Sequence, residues 1–80
     1  MNMLYDSDQF VVVHHELSRN QHGFEIVDKL HNKELFLHGD WAKIFQAQIN
    51  AWQLDIPEQE EVEACLTSYT ELAQLPMAVH

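Results

Sequence analysis

A single cysteine, Cys65, stands in the 80-residue chain. It can form no internal disulfide, and small secreted domains normally rely on several. Lysine and arginine are also scarce: four, against thirteen Asp and Glu, for a net charge of -9 with the six histidines neutral. Nucleic-acid affinity comes largely from cationic side chains on phosphates, so this balance argues against a nucleic-acid partner. Two glycines are too few for a phosphate-cradling loop. The longest apolar run, Phe10 to Val13, is far shorter than the about 20 residues of a membrane-spanning helix. Met1 to Asp6 has neither the basic residues nor the apolar core of a secretion signal. The expectation is a cytoplasmic protein with neither nucleic acid nor membrane as partner.

What the chain does have is apolar: 46% hydrophobic and 10% aromatic residues. That is too much for a disordered tail, and at this length it predicts one domain over residues 1–80. The first half reads as strands at about 1–5, 9–17, 23–30 and 33–38. Asp6-Ser7-Asp8 marks a turn, because these side chains bond nearby backbone. Phe10 to Val13 is β-branched and aromatic, which suits a pleated surface. Polar Ser18 to His22 reads as a loop. A tight turn at His31-Asn32 pairs Lys29 with Glu34. It puts Phe24, Ile26, Leu30, Leu35 and Leu37 on one face, and Glu25, Val27, Lys29, Glu34, Phe36 and His38 on the other.

After His38 the period changes. Trp41, Ile44, Phe45, Ile49 and Trp52 follow helical spacing, predicting a helix over about 40–53 with Gly39 or Asp40 as its N-cap. Pro57 opens a second helix over about 57–74, with Glu58, Glu60 and Glu61 beside the positive end of its dipole. Its buried stripe is Val62, Cys65, Leu66, Tyr69, Leu72 and Ala73. Met77 to His80 is long enough only for a brief edge strand. Strands followed by helices predict an α+β fold: a four-stranded antiparallel meander with a two-helix hairpin packed on one sheet face.

Two short helices cover one face of such a sheet. Val11, Val13, Val27 and Phe36 then lie on the other, which predicts a homodimer with these four residues at the interface. The simpler alternative is ordinary scattered exposure of apolar residues.

Six histidines invite a metal reading. His14-His15 are adjacent and point to opposite faces of a strand, whereas His14 and Glu16 share one, and His38 can approach from a neighbouring strand. The chain has no Cys-x-x-Cys or His-Glu-x-x-His, so no metal or other cofactor is expected; His14, Glu16 and His38 form the alternative ligand set. Cys65 falls on an apolar stripe, as structural thiols do. Ser7, Ser18 and Ser68 lack any motif that places a base beside them, so no catalytic residue is assigned and no enzyme is expected. All four basic residues lie between Arg19 and Lys43. Seven acids and those four cations give -3 through Lys43, and six acids give -6 beyond it. Asp55, Glu58, Glu60, Glu61 and Glu63 crowd the helix–helix corner. Capping and solubility explain most of them; Asp55, Glu58 and Glu61 are the candidates for docking an unidentified basic protein partner.

Met3-Leu4-Tyr5-Asp6-Ser7-Asp8, Gly23 to Lys29, Gln48-Ile49-Asn50-Ala51-Trp52, Tyr69-Thr70, Leu72-Ala73-Gln74, Pro76 and His80 together carry a resemblance. Over essentially its full length the chain resembles a family of small betaproteobacterial proteins known only as a domain of unknown function. The resemblance implies no activity, cofactor or site residue. Family members have Ser or Thr before the proline where this chain has Ile56, which predicts the loss of a helix cap worth about 1 kcal/mol. The leading expectation is a non-enzymatic protein-interaction module. The alternative is a small-ligand or metal-binding protein that uses the strand histidines.

Overall fold

The computed structural model describes residues 2–19 and 21–72. Four strands, β1 (Asn2–Asp6), β2 (Phe10–Ser18), β3 (Gln21–Asp28) and β4 (Lys33–Leu37), form one antiparallel sheet in the order β1-β2-β3-β4. Helices α1 (Asp40–Leu54) and α2 (Gln59–Leu72) follow and pack on one face. This is the α+β meander with a helical hairpin that the residue pattern predicts. The expected edge strand over 77–80 and the last two residues of the second helix lie outside the described residues, as does Ala73.

The β1–β2 turn and the β3–β4 loop are each held by a short polar side chain. Ser7 Oγ accepts from the backbone N–H groups of Gln9 (3.3 Å) and Phe10 (3.1 Å), while Ser7 N–H donates to Phe10 O at 2.8 Å. A bulge in β1 between Met3 and Tyr5 sets Tyr5 opposite Val12 and leaves Leu4 unpaired. Tyr5 therefore turns towards the helices, where Leu4 also lines a pocket with Phe45, Ile49 and Trp52.

The β3–β4 connection corrects the expected register. Asp28 pairs with Lys33 and Val27 with Glu34, so the loop is Lys29-Leu30-His31-Asn32 rather than His31-Asn32 alone. The cause is Asp28, 2% exposed, whose Oδ1 accepts from Leu30 N–H (3.1 Å) and His31 N–H (3.0 Å). His31 Nδ1 lies 2.9 Å from Oδ2 and donates to it, since a carboxylate only accepts. Asn32 takes the positive φ of 56° that closes the loop. The shift spans an even number of residues, so Phe24, Ile26, Leu35 and Leu37 keep the expected face. Leu30 leaves it and is 71% exposed. Ser18 to His22 is also corrected. The ladder continues through Glu16–His22 to Ser18–Gln21, because backbone pairing needs no apolar side chain.

The core joins Phe10, Val12, Phe24, Ile26 and Leu37 of the sheet to Ala42 and Phe45 of α1 and Val62, Leu66 and Tyr69 of α2. Phe45 is its hinge pin, meeting Phe24 and Tyr69 edge-on at 5.1 and 5.2 Å. The buried stripe of α1 is Ala42, Phe45, Ile49 and Trp52: Phe45, Ile49 and Trp52 lie where expected, and Ala42 replaces Trp41 and Ile44. Trp41 and Ile44 are half-exposed, whereas the small Ala42 is buried. Gly39, at φ 62°, is the N-cap and supplies no side chain, which leaves Asp40 in the first turn. Pro57 stands outside α2 rather than in its first turn. Glu58 O accepts from Glu61 and Val62 N–H at 3.0 and 3.1 Å, so Glu58 occupies the N-cap position. Ile56, two residues earlier, is exposed and does not vacate a cap.

Candidate interaction surface

Among the described residues no helix covers the second sheet face. Register fixes its occupants in rows across the strands. One row is Asp6, Val11, Val27 and Glu34; the next is Met3, Val13, Glu25 and Phe36; a third begins with His15 and Gly23. Val11, Val13 and Val27 are partly exposed and Phe36 is 44% exposed, so all four expected interface residues do share this face. Met3, 57% exposed, extends the patch.

Phe36 is held by what Gly23 lacks. Its ring lies over the glycine, where a Cβ would overlap Cζ and sit 3.0 Å from Cε1. The ring thereby buries Gly23, the aromatic cover that a glycine in a sheet invites. His15 and His38 flank it at ring distances of 5.9 and 6.0 Å. A glycine two residues diagonal to an aromatic on the next strand is the signal that could have placed this contact.

Two of the acids on the face have a basic side chain beside them. Lys29 Nζ lies 3.4 Å from Asp6 Oδ1, and His15 Nε2 lies 3.5 Å from Glu25 Oε1. Of its three acids only Glu34 has no ion pair among the described residues.

The acidic corner behaves differently from its sequence. Asp55, Glu58 and Glu61 are exposed there as expected. Asp55 caps α1 through its N–H to Ala51 O (3.1 Å). Glu63 does not belong to that surface. Its Oε2 accepts from Ser7 Oγ (2.7 Å), Tyr5 Oη (2.9 Å) and Gln59 Nε2 (3.2 Å), tying the β1 edge to α2. The hydrogen bonds from Ser7 and Tyr5 hold its carboxyl below the ordinary range, against the opposing effect of burial. Burial, then the bond to Glu63, raises Tyr5. No local pattern signals this link, which joins residues 56 and 58 positions apart.

The histidines of the alternative ligand set are not gathered. His14 Nε2 meets His22 Nδ1 at 2.9 Å, with the rings stacked beside Phe24. His22 also pairs with Glu16 in the ladder, whereas His38 stacks on Phe36 at the end of β4. No group of three or more ligands able to hold a metal forms among the described residues. Cys65 is half-buried on α2, and burial raises its thiol above the ordinary range. No helix among the described residues is long and apolar enough to cross a membrane.

Comparison with known proteins agrees with the resemblance in the residues. The chain is 31% identical over 87 aligned positions to protein BTH_I0359 of Burkholderia thailandensis, covering 100% of both. No solved structure matches. A family model matches residues 1–80 from end to end, and the chain belongs to that family, described as "Protein of unknown function (DUF3567)".

Proposed function

We propose that the protein is a non-catalytic interaction module that acts as a homodimer through its uncovered sheet face, with Val11, Val13, Val27 and Phe36 at the interface centre. The observation that carries this reading is that Val11, Val13, Val27 and Phe36 share that face at partial exposure with Met3 beside them, while Lys29 pairs with Asp6 at its edge. Two copies at -9 each repel, so a like-charged partner approaches best over a surface whose centre is apolar. The size suits a weak dimer. The 27 strand residues, at a rise of about 3.3 Å and a spacing of about 4.8 Å, give a projected face of about 430 Å². That is about half of the about 800 Å² per partner of a standard interface and in the range of weak, transient contacts. Two such faces stack at about 10 Å with interdigitated side chains, and a two-fold axis makes each residue serve both copies.

Sedimentation velocity of the full chain from micromolar to about 200 µM tests the proposal. A dimer is expected, strengthened by added salt because screening removes the net repulsion. Val27→Glu should return it to monomer with an unchanged circular dichroism spectrum. A monomer throughout overturns the reading. Docking of a basic protein on Asp55, Glu58 and Glu61 has the opposite salt dependence and would appear as binding that weakens with added salt.

A further inference from the structure

Beyond the sheet face, the longer β2–β3 hairpin creates a second surface. Pairing with β4 ends at Phe24–Leu37, yet β2 and β3 continue to Ser18–Gln21. The overhang stands opposite α1 and encloses a groove of about 670 Å³, within the range of small-molecule sites. Leu17, Phe36, Ala42 and Ala47 give it an apolar lining; Lys43, His22 and His38 stand among them, with the amides of Gln21, Gln46 and Asn50.

The charge of this lining opposes that of the molecule. None of the thirteen acidic residues lines the groove, although one of only four strong cations does. Lys43 has no ion pair among the described residues. His22 spends Nδ1 on His14 and keeps Nε2 for another partner. A neutral apolar ligand would use neither, and a metal cation would meet the lysine charge. An anion bonded to a flat apolar body uses all of them: the body lies against Phe36 and the alanines, and the anionic head reaches Lys43 and an imidazole.

We propose that this groove is a binding site for a small organic anion, a carboxylate or phosphate carried on an aromatic or aliphatic body. The groove is formed within one chain, so the site stands whether or not the sheet face dimerises.

The test is an amide NMR titration of the full chain with 1-naphthylacetate, 1-naphthyl phosphate and, as the uncharged control, 1-naphthaleneethanol. Both anions should move the signals of Ala42, Lys43, Gln46 and Ala47 with a Kd below about 1 mM. The preferred anion tells carboxylate from phosphate chemistry. Lys43→Gln should weaken the anions about fivefold and leave the alcohol unchanged. Ala47→Trp, which fills the groove from an exposed helix position, should abolish binding, while Arg19→Gln controls for total charge. The proposal is overturned by equal binding of the alcohol, by no loss in Lys43→Gln, by shifts confined to Val11, Val13 and Val27, or by no shifts at about 5 mM.

Discussion

Replacing Glu63 by alanine should be among the most damaging single changes outside the apolar core. One oxygen, Oε2, accepts from Tyr5 at 2.9 Å and Ser7 at 2.7 Å, and the residue is half-buried between β1 and α2. Hydrogen bonds to a charged group contribute about 1.5–3 kcal/mol each, and partial exposure places these at the lower end. The two together come to about 3 kcal/mol, and the exposed Gln59 bond adds little. A chain of this size has about 4–12 kcal/mol in all, so a quarter or more is at stake. At a slope of about 1.5 kcal/mol/M, the urea midpoint of Glu63→Ala should fall by about 2 M. Tyr5→Phe and Ser7→Ala should each account for about half, with non-additivity in a double-mutant cycle because they share one acceptor. The pH dependence is a second check. The folded carboxyl sits below its ordinary value of 4.5, so its stabilisation is full above about pH 5 and is lost as the pH falls through the folded value. The penalty of Glu63→Gln should therefore shrink towards pH 3. A midpoint shift below about 0.3 M at pH 7, or a penalty independent of pH, refutes the reasoning.

Asp28 is the second carboxylate held below its ordinary value. Burial acts to raise it, but the side-chain and backbone bonds from His31 prevail, so its contribution too is present above about pH 5 and lost in acid. Asp28→Ala strips the acceptor from Leu30 and His31 N–H and should cost about 2 kcal/mol in thermal unfolding; an unchanged midpoint would count against the loop account. Gly23→Ala should move the Phe36 ring off its seat with less than about 1 kcal/mol of net change, since the overlap is with the far end of a side chain and alanine restricts the unfolded chain. The readout is loss of the ring-current shifts at His15 and His38, together with a dimer weakened about tenfold; Phe36 unmoved in the variant would contradict it.

Local signals carried the fold further than the site. The sheet-to-helix change of period, the two faces of β3 and β4 and the placement of Val11, Val13, Val27 and Phe36 all follow from alternation. A register error of an even step cannot move a side chain across the sheet. Leu30 was misplaced because Asp28 reshapes the loop through bonds that alternation does not encode. Trp41 and Ile44 were misplaced because adjacent helical stripes overlap, and only the sheet chooses between them. Glu63 read as one more surface acid, since its partners Tyr5 and Ser7 are set beside it by the meander and not by the helix. The histidines divided in the same way: His14 finds His22 across the β2–β3 ladder, a pairing that sequence spacing leaves open, while His38 turns to Phe36.

The charge of this molecule is better understood by surface than by sum. The helix corner gathers Asp55, Glu58, Glu60 and Glu61 in the open, Glu63 and Asp28 are satisfied by hydrogen bonds, and the sheet face sets Asp6 beside Lys29 and Glu25 beside His15. The β2–β3 overhang then borders a groove lined by a lysine and no acid. Phe36 borders both regions, packed over Gly23 on the face and lining the groove at its end. A ligand that presses on this ring therefore presses on the dimer surface as well. If both proposals hold, the two equilibria are linked and the linkage is reciprocal: an anion that favours the dimer must bind the dimer more tightly by the same factor. Repeating the sedimentation series with 1-naphthyl phosphate measures that factor directly, and Gly23→Ala should remove it by uncoupling Phe36 from its seat.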